Sequence, residues 1–286
     1  MQFIELLKSS AEKNKSIVCM GLDPVLERIP LRGKDAEQTI VEFYSEIINA
    51  CIAENCLPAA FKPNYAFYAQ YGFAGLRALK KVISMCKETS VPVILDAKRT
   101  DIGKSCIAYA KEMFDFWQAD ACTVQAFLGR DSIEPFLEFC KRGKGVYVLT
   151  RSSNPGAKEF QNLRNTSGEP LYITLAKKLI IWASNCKGNL GSIVGATSLP
   201  ELGQILGTFK KSPSIEIPLL IPGVGAQGGS ASDTAEVLKS AGYNLTIVRI
   251  NSSSGLNYAY ERFESEDFAG STVRALKELN REIGFK

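Results

Sequence analysis

The stretch VPVILDAKRTDIG, residues 91–103, runs from apolar residues straight into Asp96, Lys98, Arg99 and Asp101. Charge is costly to bury without partners, so this cluster does not suit the middle of a buried strand. It suits the C-terminal end of one, where barrel enzymes keep their chemistry. Seven further runs have the same β-rich, apolar character: SIVCMGLD (16–23), LPAAFKPN (57–64), ACTVQAF (121–127), GVYVLTRSS (145–153), GSIVGAT (191–197), IPLLIPGVG (217–225) and LTIVRINSS (245–253). Nearly continuous Val, Ile, Leu and Ala predicts strands buried on both faces. With 91–98 as the third, there are eight.

Helical segments separate them. Residues 35–55 place Ile40, Phe43, Tyr44, Ile47 and Ile48 on one face. Residues 131–142 open with an Asp-x-x-Glu capping pattern at Asp131. Residues 171–186 and 230–242 follow suit, the latter closing at Gly242. The last helix, 270–284, and an amphipathic N-terminal segment read as covers. Eight strands alternating with helices, with no visible linker, predict a single (β/α)8 TIM barrel over residues 1–286 rather than an open doubly wound sheet.

Composition narrows the function. The chain has 286 residues, is 45% hydrophobic and carries a net charge of only +4. No block of Lys and Arg marks a nucleic-acid surface, so a small-molecule partner is expected. No apolar stretch approaches the ~20 residues of a membrane span. The eight cysteines form no C-x-x-C pair and mostly sit in apolar runs, as reduced thiols in a cytoplasmic protein would. There is no histidine, which removes the commonest catalytic base and zinc ligand. No metal site is expected. Proton transfer falls to Lys, Asp, Glu, Tyr or Cys.

The polar strand ends should converge on one rim. They are Asp23 after strand one, Lys62 and Asn64 after strand two, Asp96 and Lys98 after strand three, and Arg151, Ser152, Ser153 and Asn154 after strand five. Asp96 and Lys98 are two apart and should share a face. Lys62 can join them, and Asp101 can turn back from the loop or reach a neighbouring chain. Such an alternating Lys–Asp–Lys–Asp array can fix an ammonium beside a developing carbanion and then protonate it. Taken alone, the pattern more often marks a structural ion-pair cluster at a barrel rim. IPGVGAQGGS (221–230) offers backbone N–H groups around Gly223 and Gly225 for a phosphate, or a plain turn. A dinucleotide site fits less well, because Tyr243 stands where a ribose-binding acid is expected. NSSSGL (251–256) is a second strand-to-helix turn.

GLDP (21–24), FKPNYAFY (61–68), LDAKRTDIG (95–103), LTRSSNPGA (149–157) and PGVGAQGG (222–229), in that order, resemble the orotidine 5′-phosphate decarboxylase family, especially its longer (type 2) branch. The resemblance covers nearly the whole chain. It implies a cofactor-independent barrel that converts orotidine monophosphate to UMP in pyrimidine biosynthesis and works as a homodimer. By that resemblance Lys98 is the proton donor to C6 and Asp96 the carboxylate beside the departing CO2. Lys62 holds Asp96 and contacts the ribose. Asp101 crosses into the partner's site, with Ser105 on the ribose. Asp23 binds ribose hydroxyls, Ser153 the pyrimidine, and Gln227 with the glycine loop the phosphate. Asn64, Ser253 and Ser254 complete the expected binding set.

The chain departs from the family's pattern in three places. Thr100 replaces a glycine, which would be costly if that backbone needs φ > 0. Strand four reads TVQAFLG rather than TVNPYLG. Ser253-Ser254 stand where the family has Ser-Arg, and that arginine grips the phosphate; Arg249 is the arginine nearby in sequence. Two other readings remain at this stage: a sugar-phosphate decarboxylase or aldolase on the same barrel, and a nucleotide-binding relative without the chemistry.

Overall fold

The structure is a computed structural model that describes residues 1–31, 35–225 and 228–285. The eight apolar runs form β1 (Val18–Leu22), β2 (Ala60–Pro63), β3 (Ile94–Arg99), β4 (Ala121–Val124), β5 (Gly145–Arg151), β6 (Leu190–Val194), β7 (Leu219–Ile221) and β8 (Val248–Ser252). They pair in parallel in the order β2-β1-β8-β7-β6-β5-β4-β3. The bridges Phe61↔Val93 and Asn64↔Asp96 join β2 to β3 and close the ring into a barrel. The strands are shorter than the runs that predict them. Lys62, Asp96, Lys98 and Arg151 stay on their strands, whereas Asp23, Asn64, Ser152, Ser153 and Asn154 lie in the loops around the mouth.

Inside the barrel each strand contributes one residue to a packed layer: Cys19, Ala60, Ile94, Ala121, Tyr147, Ile193 and Leu220 from the first seven. The N-terminal helix Phe3–Asn14 plugs this end with Phe3 and Leu7. Phe3 meets the Tyr147 ring edge-on at 5.8 Å. Gly145 must be glycine for the same reason, because a Cβ there would lie 2.2 Å from the Phe3 ring.

On β8 the corresponding buried position is Arg249. Its guanidinium donates to the carbonyls of Leu7 (2.6 Å), Val248 (2.7 Å), Ala59 (3.1 Å) and Thr246 (3.1 Å). Burial pulls its pKa down to about 10. Arg249 therefore lies among the residues that plug the closed end of the barrel. It is no replacement for an arginine at position 254.

The outer helices follow the apolar periodicity. Helix Ala36–Ala53 buries Ile40, Phe43, Tyr44, Ile47 and Ile48, and Asp35 caps it by accepting the Gln38 N–H at 2.9 Å. Ser230 caps Ala231–Ser240 in the same way. Helix Leu171–Ala183 and the C-terminal helix Phe268–Ile283 also form where the spacing predicts. The capping box expected at Asp131 does not form. A 3-10 turn over Arg130–Ser132 intervenes, Pro135 starts helix Glu134–Lys141, and the Glu134 carboxylate pairs with Arg130. Proline in the first helical turn supplies the start signal in place of the acidic pair.

Candidate active site

Strand β3 builds the centre of the site by breaking its own register. Ile94 and Leu95 pair with Ala121 and Cys122, but Arg99 pairs with Val124, so β3 carries extra residues before the ladder resumes. Lys98 sits in this irregularity with φ +46°, the left-handed region. Simple alternation of Asp96 and Lys98 along a regular strand does not hold here. They meet through the bulge instead, which re-aims a side chain beside the ladder. The Lys98 backbone N–H donates to Thr123 Oγ1 (2.9 Å), and its Nζ donates to Asp96 Oδ1 (2.7 Å). The left-handed residue is Lys98, not Thr100, so the strain expected at the missing glycine is absent from that position.

Asp96 is the hub. Oδ2 accepts from Lys62 Nζ at 2.9 Å, and Oδ1 accepts from Lys98 Nζ and from Thr123 Oγ1, the latter at 2.8 Å. Lys62 and Asp96 are only 3% and 7% exposed. Burial alone would raise the Asp96 carboxyl. Lys62 and Lys98 outweigh it and hold the group well below the ordinary carboxylate range. For Lys62, burial works against the charge, but Asp96 and Asp23 keep it firmly protonated. The Lys98 side chain is 42% exposed, so one fixed ammonium faces the open cavity. Asp23 stands nearby in a different state. Burial raises its carboxyl above the usual value against the pull of Lys62 and the Ser253 hydroxyl, and Oδ1 has no hydrogen-bond partner among the described residues.

These groups line a cavity of about 640 Å³ at the mouth of the barrel. Asp23, Lys62, Asn64, Asp96, Lys98, Ser153, Gly223, Ser253 and Ser254 all border it. Other expected members do not. Asp101 turns its Oδ1 to the N–H of Ile102 (2.7 Å), and Ser105 is exposed on helix Gly103–Lys111. Gly225 borders an adjoining cavity instead, and Gln227 lies outside the described residues. Arg151 is buried and turned toward Glu201 and Gln161. The N–H groups of Gly225, Gly228 and Gly229 bond to carbonyls within their own loop, so they are not the free phosphate donors the sequence suggests.

Three residues of the site have no role in the sequence reading. Thr123 was visible only as one hydroxyl in the buried run ACTV. Asn251 leaves Oδ1 buried and unpaired beside the cavity, among the described residues. Arg28 reaches the cavity from the loop after β1. A larger cavity of about 920 Å³ beside helix Leu171–Ala183 has no carboxylate in its described lining and lacks such an array. The smaller cavity holds what acid–base work needs: a buried anion between two ammoniums, one of them facing the open cavity.

The chain is also similar to proteins of known family and fold. The family model described as "Orotidine 5'-phosphate decarboxylase / HUMPS family" matches residues 16–248. The orotidine 5′-phosphate decarboxylase of Herpetosiphon aurantiacus is 41% identical over 257 residues, 90% of each chain. That of Halorubrum lacusprofundi is 38% identical over 99% of each chain. The solved structure of Leishmania donovani OMP decarboxylase is 30% identical, with a TM-score of 0.77 over 99% of both chains.

Proposed function

The chain belongs to the orotidine 5′-phosphate decarboxylase family, and from that premise we propose how its barrel turns orotidine 5′-phosphate into UMP and CO2, a step of pyrimidine biosynthesis. The observation that carries the mechanism is Asp96, buried and anionic between Lys62 and Lys98 at the cavity wall. The substrate's C6 carboxylate sits against Asp96 and Lys98. The C6–carboxylate bond breaks, CO2 leaves, and the electron pair stays on C6. The Lys98 ammonium stabilises that pair and then gives C6 a proton, which the amine regains from water. Asp96 is held ionised, so it offers no competing proton. Its repulsion of the substrate carboxylate vanishes as neutral CO2 forms, an interaction that favours the transition state over the ground state.

In this reading Asp23 and Asn64 take the ribose hydroxyls and Ser153 the pyrimidine, and all three border the cavity. An incoming hydroxyl would give the unpaired Asp23 Oδ1 the donor it lacks. Asp101 acts in the site of a second copy. It does not border its own cavity, and Ile102 beside it and Ile107 on the following helix are 62% and 47% exposed, apolar surface suited to a partner. Lys98→Ala and Asp101→Asn chains, each inactive alone, should regain activity when mixed; a mixture that stays inactive contradicts the shared site. Eight free thiols, most of them buried, fit the reducing cytoplasm.

The named relatives do not favour a keto-sugar phosphate reaction on this barrel. Purified protein should consume orotidine monophosphate and release UMP and CO2 in equal amounts. UMP binding without turnover would instead fit a nucleotide-binding relative.

A further inference from the structure

The family's phosphate-gripping arginine is absent at Ser254, Arg249 lies at the other end of the barrel, and the N–H groups of Gly225, Gly228 and Gly229 are committed within their loop. A phosphate dianion at this mouth still needs a cation. We propose that Arg28, from the loop after β1, is the phosphate-binding cation of this enzyme, an inference that rests on the orotidine monophosphate reading above.

Two cavities meet at Arg28. The reaction cavity contains Lys62, Lys98 and Arg28 as its described cations, and the two lysines are bound to Asp96. The adjoining cavity of about 480 Å³ runs past Gly225, Gly229 and Ser254. Among the described residues Arg28 is the one cation that borders both. Arg262 borders only the second and is paired with Glu278 at 2.8 Å. A phosphate that reaches from the sugar toward the strand-eight turn would pass Arg28.

The guanidinium is held for this task. Its centre lies 3.9 Å over the Tyr258 ring. Tyr258 is itself fixed, accepting the Val25 N–H (2.7 Å) and donating to the Asp23 carbonyl (3.2 Å). The Tyr260 hydroxyl donates to the Arg28 carbonyl. Glu261 takes Nε at 2.9 Å and Nη2 at 2.6 Å, with both side chains partly open to solvent. A carboxylate in that planar, two-pronged grip occupies the place a phosphate would take, since both oxyanions match the same fork. Substrate phosphate displaces Glu261, wholly or in one prong.

The test is steady-state kinetics of Arg28→Ala against the wild type, with inhibition by UMP and by uridine. Loss of one charged contact should raise KM for orotidine monophosphate and the inhibition constant of UMP about ten- to hundredfold. Inhibition by uridine, which has no phosphate, should not change. Adding Ser254→Arg to Arg28→Ala should restore much of the lost affinity, which a merely misfolded loop would not allow. A KM within about twofold of wild type overturns the proposal. So does an equal loss of UMP and uridine binding, which would make Arg28 a structural residue. Failure of the wild type itself to turn over orotidine monophosphate would overturn the functional reading instead.

Discussion

Asp23 shows how one side chain can be poor for the empty fold and right for the ligand. Its folded-state pKa lies above the ordinary 3.8 because burial disfavours the anion. The folded state therefore binds the proton more tightly than the unfolded chain does, and ionisation works against folding. That penalty is absent below the unfolded value and grows as pH rises through the folded one. Asp23→Asn should thus melt higher than wild type at neutral pH, with the gap closing in acid, while its affinity for UMP falls. Melting curves across pH check this, and a gap independent of pH would contradict it. Asp96 has the opposite sign. Its two ammoniums lower its pKa, so it stabilises the fold at all pH above the ordinary carboxylate range and loses that only in strong acid. At residue scale the charged groups were legible in the sequence, because a Lys or Asp is rarely placed in an apolar run without a partner to hold it. Thr123 was not, since a threonine in a strand is unremarkable until its partners are known.

At the scale of elements the decisive feature is the irregular end of β3. Thr123 on β4 holds it from both sides, donating to Asp96 and accepting the Lys98 N–H. Thr123→Val keeps the shape but strands the part-buried Lys98 N–H and removes one donor from the buried Asp96, at a cost of ~1–3 kcal/mol in stability. Lys98 then loses its fixed backbone, so kcat should fall about tenfold or more while KM stays close to wild type. Thermal melts with steady-state kinetics check both halves. A rise in KM at unchanged kcat would place Thr123 in substrate binding instead. Two-residue alternation correctly brought Asp96 and Lys98 together but for the wrong geometric reason. A bulge with a left-handed lysine has no signature in VILDAKRTDIG, because neither glycine nor asparagine marks the position. Helix starts were legible at Asp35 and Ser230, where a capping side chain sits before an apolar period. Asp131 looked the same, yet Pro135 decided that helix.

At the scale of the molecule, the eight apolar runs were enough to predict the barrel. Strands buried on both faces lose alternation, and their number and spacing with helices leave few architectures. The site was legible because a parallel barrel puts all its strand ends on one rim. What the sequence could not show were contacts made by connection rather than by strand: Arg28 and Tyr258 approach the mouth from loops whose path depends on the whole fold. It also could not tell that Arg249, close in sequence to the strand-eight turn, spans toward the plugged end. The central claim is that one ammonium, Lys98, fixed to a buried carboxylate, carries the chemistry. It is tested most directly by following orotidine monophosphate absorbance with wild type and Lys98→Ala side by side, with melting curves to show that both are folded. The account predicts rapid conversion to UMP by the wild type and a loss of at least about 10³-fold in the variant. A folded Lys98→Ala protein that still decarboxylates near the wild-type rate would contradict it.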